Sequence, residues 1–142
     1  MAFTKKRKSF SAEDASARLR AADLRPTRQR VSLTKLLGSE HRHLTAEMLH
    51  EEAARAGIEV SLATVYNTLH QFTEAGLLRE VVVDAGRSYF DTNTGAHHHF
   101  FCEDDGVLTD IPGEAIEVTR VPDAPKGMAV DRVDVVVRVK RA

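Results

Sequence analysis

Residues 61–91, SLATVYNTLHQFTEAGLLREVVVDAGRSYFD, carry the pattern that decides the fold. Leu62, Val65, Leu69 and Phe72 recur at i, i+3, i+7 and i+10, one apolar stripe of a 3.6-residue period. Ser61 is placed to cap that helix and Gly76 to end it. The opposite face carries Ala63, Thr64, Asn67, His70 and Gln71, small or uncharged hydrogen-bonding side chains where a solvated face ordinarily shows Glu and Lys. Small residues let a helix approach closely, and amides and hydroxyls pair with base edges and phosphates. By itself that face also fits a plain surface helix. The residues that follow decide: Leu77–Val83 and Ser88–Phe90 are β-rich, and Asp84-Ala85-Gly86-Arg87 between them reads as a hairpin turn. Helices followed by such a hairpin make a winged helix, whose last helix enters the major groove.

Upstream, three more helices are expected. Ser11 caps one that runs to Ala22, with Glu13 and Asp14 favourable in its first turn. Arg28–Leu37 forms the second, opened by Pro26-Thr27 and closed by Gly38, and Thr45 caps a third that stops at Gly57. Arg25, Arg28 and Arg30 stand at the start of the second helix, where guanidinium groups and free backbone N–H groups suit phosphates.

Downstream the composition turns to strands. His98–Cys102 and Val107–Ile111 flank the acidic turn Glu103-Asp104-Asp105-Gly106, and Val130–Val139 reads as a strand with Val133, Val135, Val137 and Val139 on one face. A short helix starting at Gly113 cannot run past Pro122 and Pro125. So few elements bury little alone, so this lobe is expected to form a homodimer by joining sheets. The fold class is α+β: a basic tail (1–10), a winged-helix DNA-binding domain (11–91), a hinge (92–96) and a small α/β dimerisation and metal- or haem-sensing domain (97–142).

Charge is split along the chain. Residues 1–30 hold nine Lys/Arg against three acids, and residues 84–117 hold one Arg against eight acids. One end is thereby suited to a polyanion such as double-stranded DNA and the other to cations, although a solvated tail accounts for Lys5–Lys8 equally well. No apolar run is long enough to span a bilayer and no apolar segment follows the basic start, which predicts a cytoplasmic protein with no membrane partner. Cys102 is the sole cysteine, so one chain can build neither an internal disulfide nor a four-cysteine structural zinc.

His43 precedes a helix, and His97-His98-His99 lie in a strand. Alternation puts His97 and His99 on one face and His98 on the other. With Asp91 upstream and Asp110 on the adjoining strand, three imidazoles and two carboxylates suit Fe(II), Mn(II) or Zn(II). Imidazole also ligates haem iron, with Phe100 and Phe101 available either to cover a porphyrin or to fill the core. His50 and His70 read as ordinary surface histidines. A metal-dependent hydrolase would use similar ligands, but no residue is placed as a general base and the DNA-reading helix would go unexplained, so no enzyme is expected.

Over nearly its whole length the chain resembles the ferric uptake regulator superfamily. The resemblance is carried by LRPTRQR (24–30), HLTAEMLH (43–50), SLATVYNTLHQFTEAGLL (61–78), RSYFD (87–91) and HHHFFC (97–102). It implies DNA contacts by Arg25, Thr27, Arg28, Arg30, Ser61, Ala63, Thr64, Tyr66 and Asn67, with Tyr66 as the base-contacting tyrosine and Asn67 where an arginine is usual. It also aligns His43, Asp91, His97 and His99 with a regulatory metal site, and Asp110 with the fifth ligand of the peroxide-sensing branch. His98 and Glu117 match part of a second site, in which Val133 replaces an expected histidine. Cys102 matches the first cysteine of a structural-zinc motif whose second position is Asp105. This loss, the triple histidine and the C-terminal sequence look like the iron response regulator branch. That branch implies a repressor of iron and haem metabolism genes, active under iron limitation and inactivated through haem at His97, His98 or His99, with haem-biosynthesis enzymes as partners. The alternative is a peroxide-sensing, metal-dependent repressor.

Overall fold

The computed structural model describes residues 10–142, so the basic run Lys5–Lys8 lies outside the described residues. The chain divides into two compact units, with the boundary between Thr94 and Gly95.

In the first unit α1 (Ala12–Ala21), α2 (Arg28–Leu37), β1 (His43–Leu44), α3 (Ala46–Arg55) and α4 (Leu62–Glu74) precede the hairpin β2 (Arg79–Asp84) and β3 (Arg87–Asp91). Each helix begins where a hydroxyl residue can cap it. Ser11, Thr27, Thr45 and Ser61 accept through their side-chain oxygens from the backbone N–H groups of Asp14, Arg30, Met48 and Thr64. Such a cap stabilises by about 1 kcal/mol. From α4, Val65, Leu69 and Phe72 are fully buried against Leu19, Leu33, Leu49 and Phe90. Burial of each side chain is worth about 1.5–3 kcal/mol, so this face fixes the helix and its other face is left outward. Leu62, expected on the same stripe, is only half-buried at the first turn, and Thr68 is buried in addition.

The sheet of this unit has the order β1-β3-β2, all antiparallel. Gly86 takes φ +84° at the hairpin tip, a conformation open to glycine at little cost. The expected first strand, Leu77–Val83, is displaced to Arg79–Asp84 because Leu77 still closes α4, its N–H donating to the Phe72 carbonyl. Strand β1 was not foreseen, since two residues have no periodicity to read. It pairs His43 opposite Asp91.

The second unit contains β4 (His97–Cys102), β5 (Leu108–Pro112), a single 3-10 turn (Gly113–Ala115) and β6 (Val136–Val139). β4 is central, antiparallel to β5 and parallel to β6. Phe101, Leu108 and Ile111 are its buried apolar side chains. The strand expected over Val130–Val139 is four residues long, and Val130 and Val133 are exposed. Its ladder pairs His99 with Val136 and ends with Cys102 opposite Val139, while the Val135 N–H donates to His98 Nδ1 at 3.1 Å. Only the last four residues of the valine run belong to the ladder with β4. The helix expected from Gly113 amounts to that one turn. Among the described residues no helix is long and apolar enough to cross a membrane.

Candidate metal centre and nucleic-acid face

In the second unit, β4 turns His97 and His99 to its buried face, 5% and 3% exposed. Their rings lie 4.5 Å apart, and the Nε2 atom of each stands 3.3 Å from the same oxygen, Oδ1 of Asp110 on β5. Register explains the meeting: Asp110 is the cross-strand partner of His99, and His97 is two residues along on the same face. The Nδ1 of His97 lies 2.6 Å from the Gly95 carbonyl, which can only accept, so Nδ1 carries the proton. In the neutral ring this tautomer turns Nε2 toward Asp110. Fixing the tautomer through the second ring nitrogen is how metal-ligating histidines are oriented.

In the first unit, β1 and β3 hold His43 Nε2 3.2 Å from Oδ2 of Asp91, whose side chain is fully buried. The other oxygen of Asp91 accepts from the Asn93 N–H at 2.8 Å, which turns Oδ2 toward the histidine. A clasp fixes the strands behind this pair. Arg42 N–H donates to Thr92 Oγ1 at 2.9 Å and Thr92 N–H to the Arg42 carbonyl at 3.1 Å. The Arg42 guanidinium forks onto both Glu52 oxygens of α3, at 2.9 and 2.7 Å, and donates to the Leu36 carbonyl at 3.1 Å. Sequence reading missed this clasp because nothing in Arg42 or Glu52 marks them as partners ten residues apart.

Nitrogen and carboxylate donors without a thiolate suit a divalent first-row ion such as Fe, Mn or Zn. His98 is differently engaged. Because its Nδ1 accepts from Val135 N–H, its proton resides on Nε2 in the neutral ring, and neither nitrogen offers a free lone pair while that bond holds. Glu117 is exposed, and neither it nor His98 belongs to a group of three or more potential ligands among the described residues. Phe101 is core at 0% exposure, whereas Phe100 is 39% exposed.

On the helical face, Arg25, Thr27, Arg28, Ser61, Ala63 and Asn67 are exposed, and Arg30, Thr64 and Tyr66 half-buried. Several also have structural duties. Thr27 and Ser61 are caps, and Ser61 Oγ–H donates to Thr64 Oγ1 at 2.9 Å. Arg30 ties α2 to α4 by donating to the Arg25 carbonyl at 3.0 Å and to Gln71 Oε1 at 3.1 Å. Tyr66 donates its hydroxyl to Oε1 of Glu47 on α3 at 2.7 Å, a contact the sequence does not signal. That bond pulls the Glu47 carboxyl below its ordinary range and pushes the Tyr66 phenol up.

A capped helical unit closed by a β-hairpin, followed by a small sheet bearing histidine and carboxylate donors, defines an α+β two-domain fold of the ferric-uptake-regulator type. The model of the ferric uptake regulator family matches residues 21–137, and the chain belongs to that family, whose members regulate transcription and are not enzymes. It is similar to the ferric uptake regulator of Pseudomonas aeruginosa solved with manganese: 32% identity, TM-score 0.69, covering 89% of this chain and 97% of that one. The ferric uptake regulator of Vibrio cholerae shares the fold at 24% identity and a TM-score of 0.68, over 89% of this chain and 98% of that one. The peroxide-responsive repressor PerR of Staphylococcus aureus is 36% identical over 98 residues, 69% of this chain and 66% of the relative, just under two thirds of its length.

Proposed function

We propose that this chain is a metal-responsive transcriptional repressor that binds a double-stranded DNA operator as a homodimer in the cytoplasm. Residues 11–91 read the DNA, 92–96 form a hinge, and 97–142 dimerise and sense the metal. His43, Asp91, His97, His99 and Asp110 would hold one divalent ion. The observation that carries this reading is the pair of Nε2 atoms set on one Asp110 oxygen while the His97 Nδ1 proton is committed to Gly95. When bound, the ion would supply a positive centre among these donors. His43 and Asp91, attached to the hairpin that follows α4, transmit occupancy to the DNA-reading helix through β3. Half-sites lie about one helical turn apart, so the angle between two such helices decides whether both dock. Arg25, Arg28 and Arg30 take phosphates, with Thr27 and Ser61 at helix starts beside them. Ala63, Thr64, Tyr66 and Asn67 face the bases. Exposed Val107, Val118, Val121, Met128, Val130 and Val133 in so small a unit support pairing with a second copy.

The finer reading is a repressor of iron and haem metabolism genes that is active under iron limitation and inactivated through haem, with haem-biosynthesis enzymes as partners. The burial of His97 and His99 and the bond held by His98 mean that haem must open β4 from its neighbours to ligate. The similarity to PerR favours a second reading, a peroxide sensor in which the metal-bound protein gains oxygen on a ligating histidine. Haem titration and peroxide treatment of the manganese- or iron-loaded protein separate them. A Soret band lost in His97→Ala, with release from DNA, supports haem control. Selective oxidation at His43 or His97 on mass spectrometry, again with release, supports peroxide sensing. Metal content unchanged in both His97→Ala and His99→Ala would contradict the site itself.

A further inference from the structure

Resting on the DNA-reading role proposed for α4, we infer that Glu47 is a specificity-determining residue: by holding the proton of the Tyr66 hydroxyl, it makes that hydroxyl an acceptor only. The geometry leaves little freedom. A phenol has one O–H, and at 2.7 Å from Glu47 Oε1 that proton is taken. Glu47 is the second residue of α3, where the helix N-terminus favours a carboxylate, so the acceptor stays ionised at neutral pH. Glu47 is exposed and Tyr66 half-exposed, so the contact sits where a duplex would arrive. What Tyr66 then presents is an oxygen with lone pairs only, beside a second acceptor, the other carboxylate oxygen.

In the major groove only cytosine N4 and adenine N6 offer hydrogen-bond donors, whereas guanine O6 and N7 and thymine O4 are acceptors. An acceptor-only pair therefore selects an amino-bearing base at one position of each half-site and turns away guanine and thymine. The carboxylate also repels phosphates, so the discrimination comes at some cost in overall affinity. Tyr66 stacks on His70, with ring centroids 6.4 Å apart, and His70 packs edge-on against buried Phe90 at 5.6 Å. The phenol thus has its ring beside His70 and its hydroxyl on Glu47.

The test uses the full chain loaded with manganese and a pool of randomised DNA duplexes, scoring base preference at each position for the wild type, Glu47→Ala and Tyr66→Phe. The wild type is expected to enrich cytosine or adenine at one position per half-site. Both variants are expected to lose that preference there by about ten-fold and leave the other positions unchanged. Glu47→Ala, with its phenol proton released, should also gain guanine or thymine at that position and bind unselected duplexes more tightly. Unchanged preferences in both variants, with the wild type still enriching a motif, would overturn the role of Glu47 alone. A wild type that enriches no duplex at all would overturn the DNA-reading assignment with it. Tyr66→Phe keeps Glu47 and the ring in place, so loss of the fold in one variant does not decide the matter.

Discussion

At the scale of single residues, the Nε2 atoms of His97 and His99 meet one oxygen of Asp110 across adjacent strands, a donor set that fits a divalent cation. Removing one donor should therefore weaken metal binding without unfolding the sheet: Asp110→Asn is expected to lower manganese affinity at least ten-fold by calorimetric titration, while circular dichroism stays unchanged. The Tyr66–Glu47 contact gives a second, independent prediction. Glu47 is held below its ordinary 4.5, so its share of the contact's stabilisation is present above that pH and is lost as pH falls through the lowered value. Tyr66 is held above its ordinary 10.0, so its share is present below that pH and is lost as pH rises through the raised value. In a Tyr89→Phe background, where Tyr66 is the remaining tyrosine, ultraviolet titration should show its ionisation shift downward on Glu47→Ala. No shift would mean that the two groups do not interact in solution.

At the scale of elements, the close approach of Gly113 to β4 is the tightest constraint near the donors. A Cβ at Gly113 would stand 2.8 Å from the Ala96 carbonyl oxygen, one residue before His97. Gly113→Ala is expected to cost about 1–3 kcal/mol in urea unfolding and to weaken metal binding, because the strand start must move. Thr45→Ala removes the cap of α3, directly after His43–Leu44, and should cost about 1 kcal/mol. These elements also show how far the sequence could be read. The helices were legible because each opens on a cap hydroxyl and a glycine follows α2, α3 and α4, and the facing of His97 and His99 follows from strand alternation. Strand β1 was not legible, since two residues gain strand geometry only from the β3 partner. Nor was the true length of β6, since the valine alternation continues through residues upstream of the ladder with β4. The residue pattern and the resemblance both pointed to the five candidate donors, but the Gly95 carbonyl that orders His97 and the clasp of Arg42 with Glu52 and Thr92 are backbone or long-range contacts with no local signature.

At the scale of the molecule, the two units differ in what they bury. The first buries a full helical core, whereas the second buries few apolar side chains and leaves valines and a methionine exposed, which suits it to pairing with another copy. The proposed function makes DNA binding depend on a metal held by these residues, and the most direct measurement of that claim is duplex affinity against metal occupancy. An enriched duplex should bind the manganese-loaded full chain at least ten-fold more tightly than the chelator-treated chain, with the difference abolished in His99→Ala. Equal affinity with and without metal in the wild type, or a metal effect that survives in His99→Ala, would contradict the account.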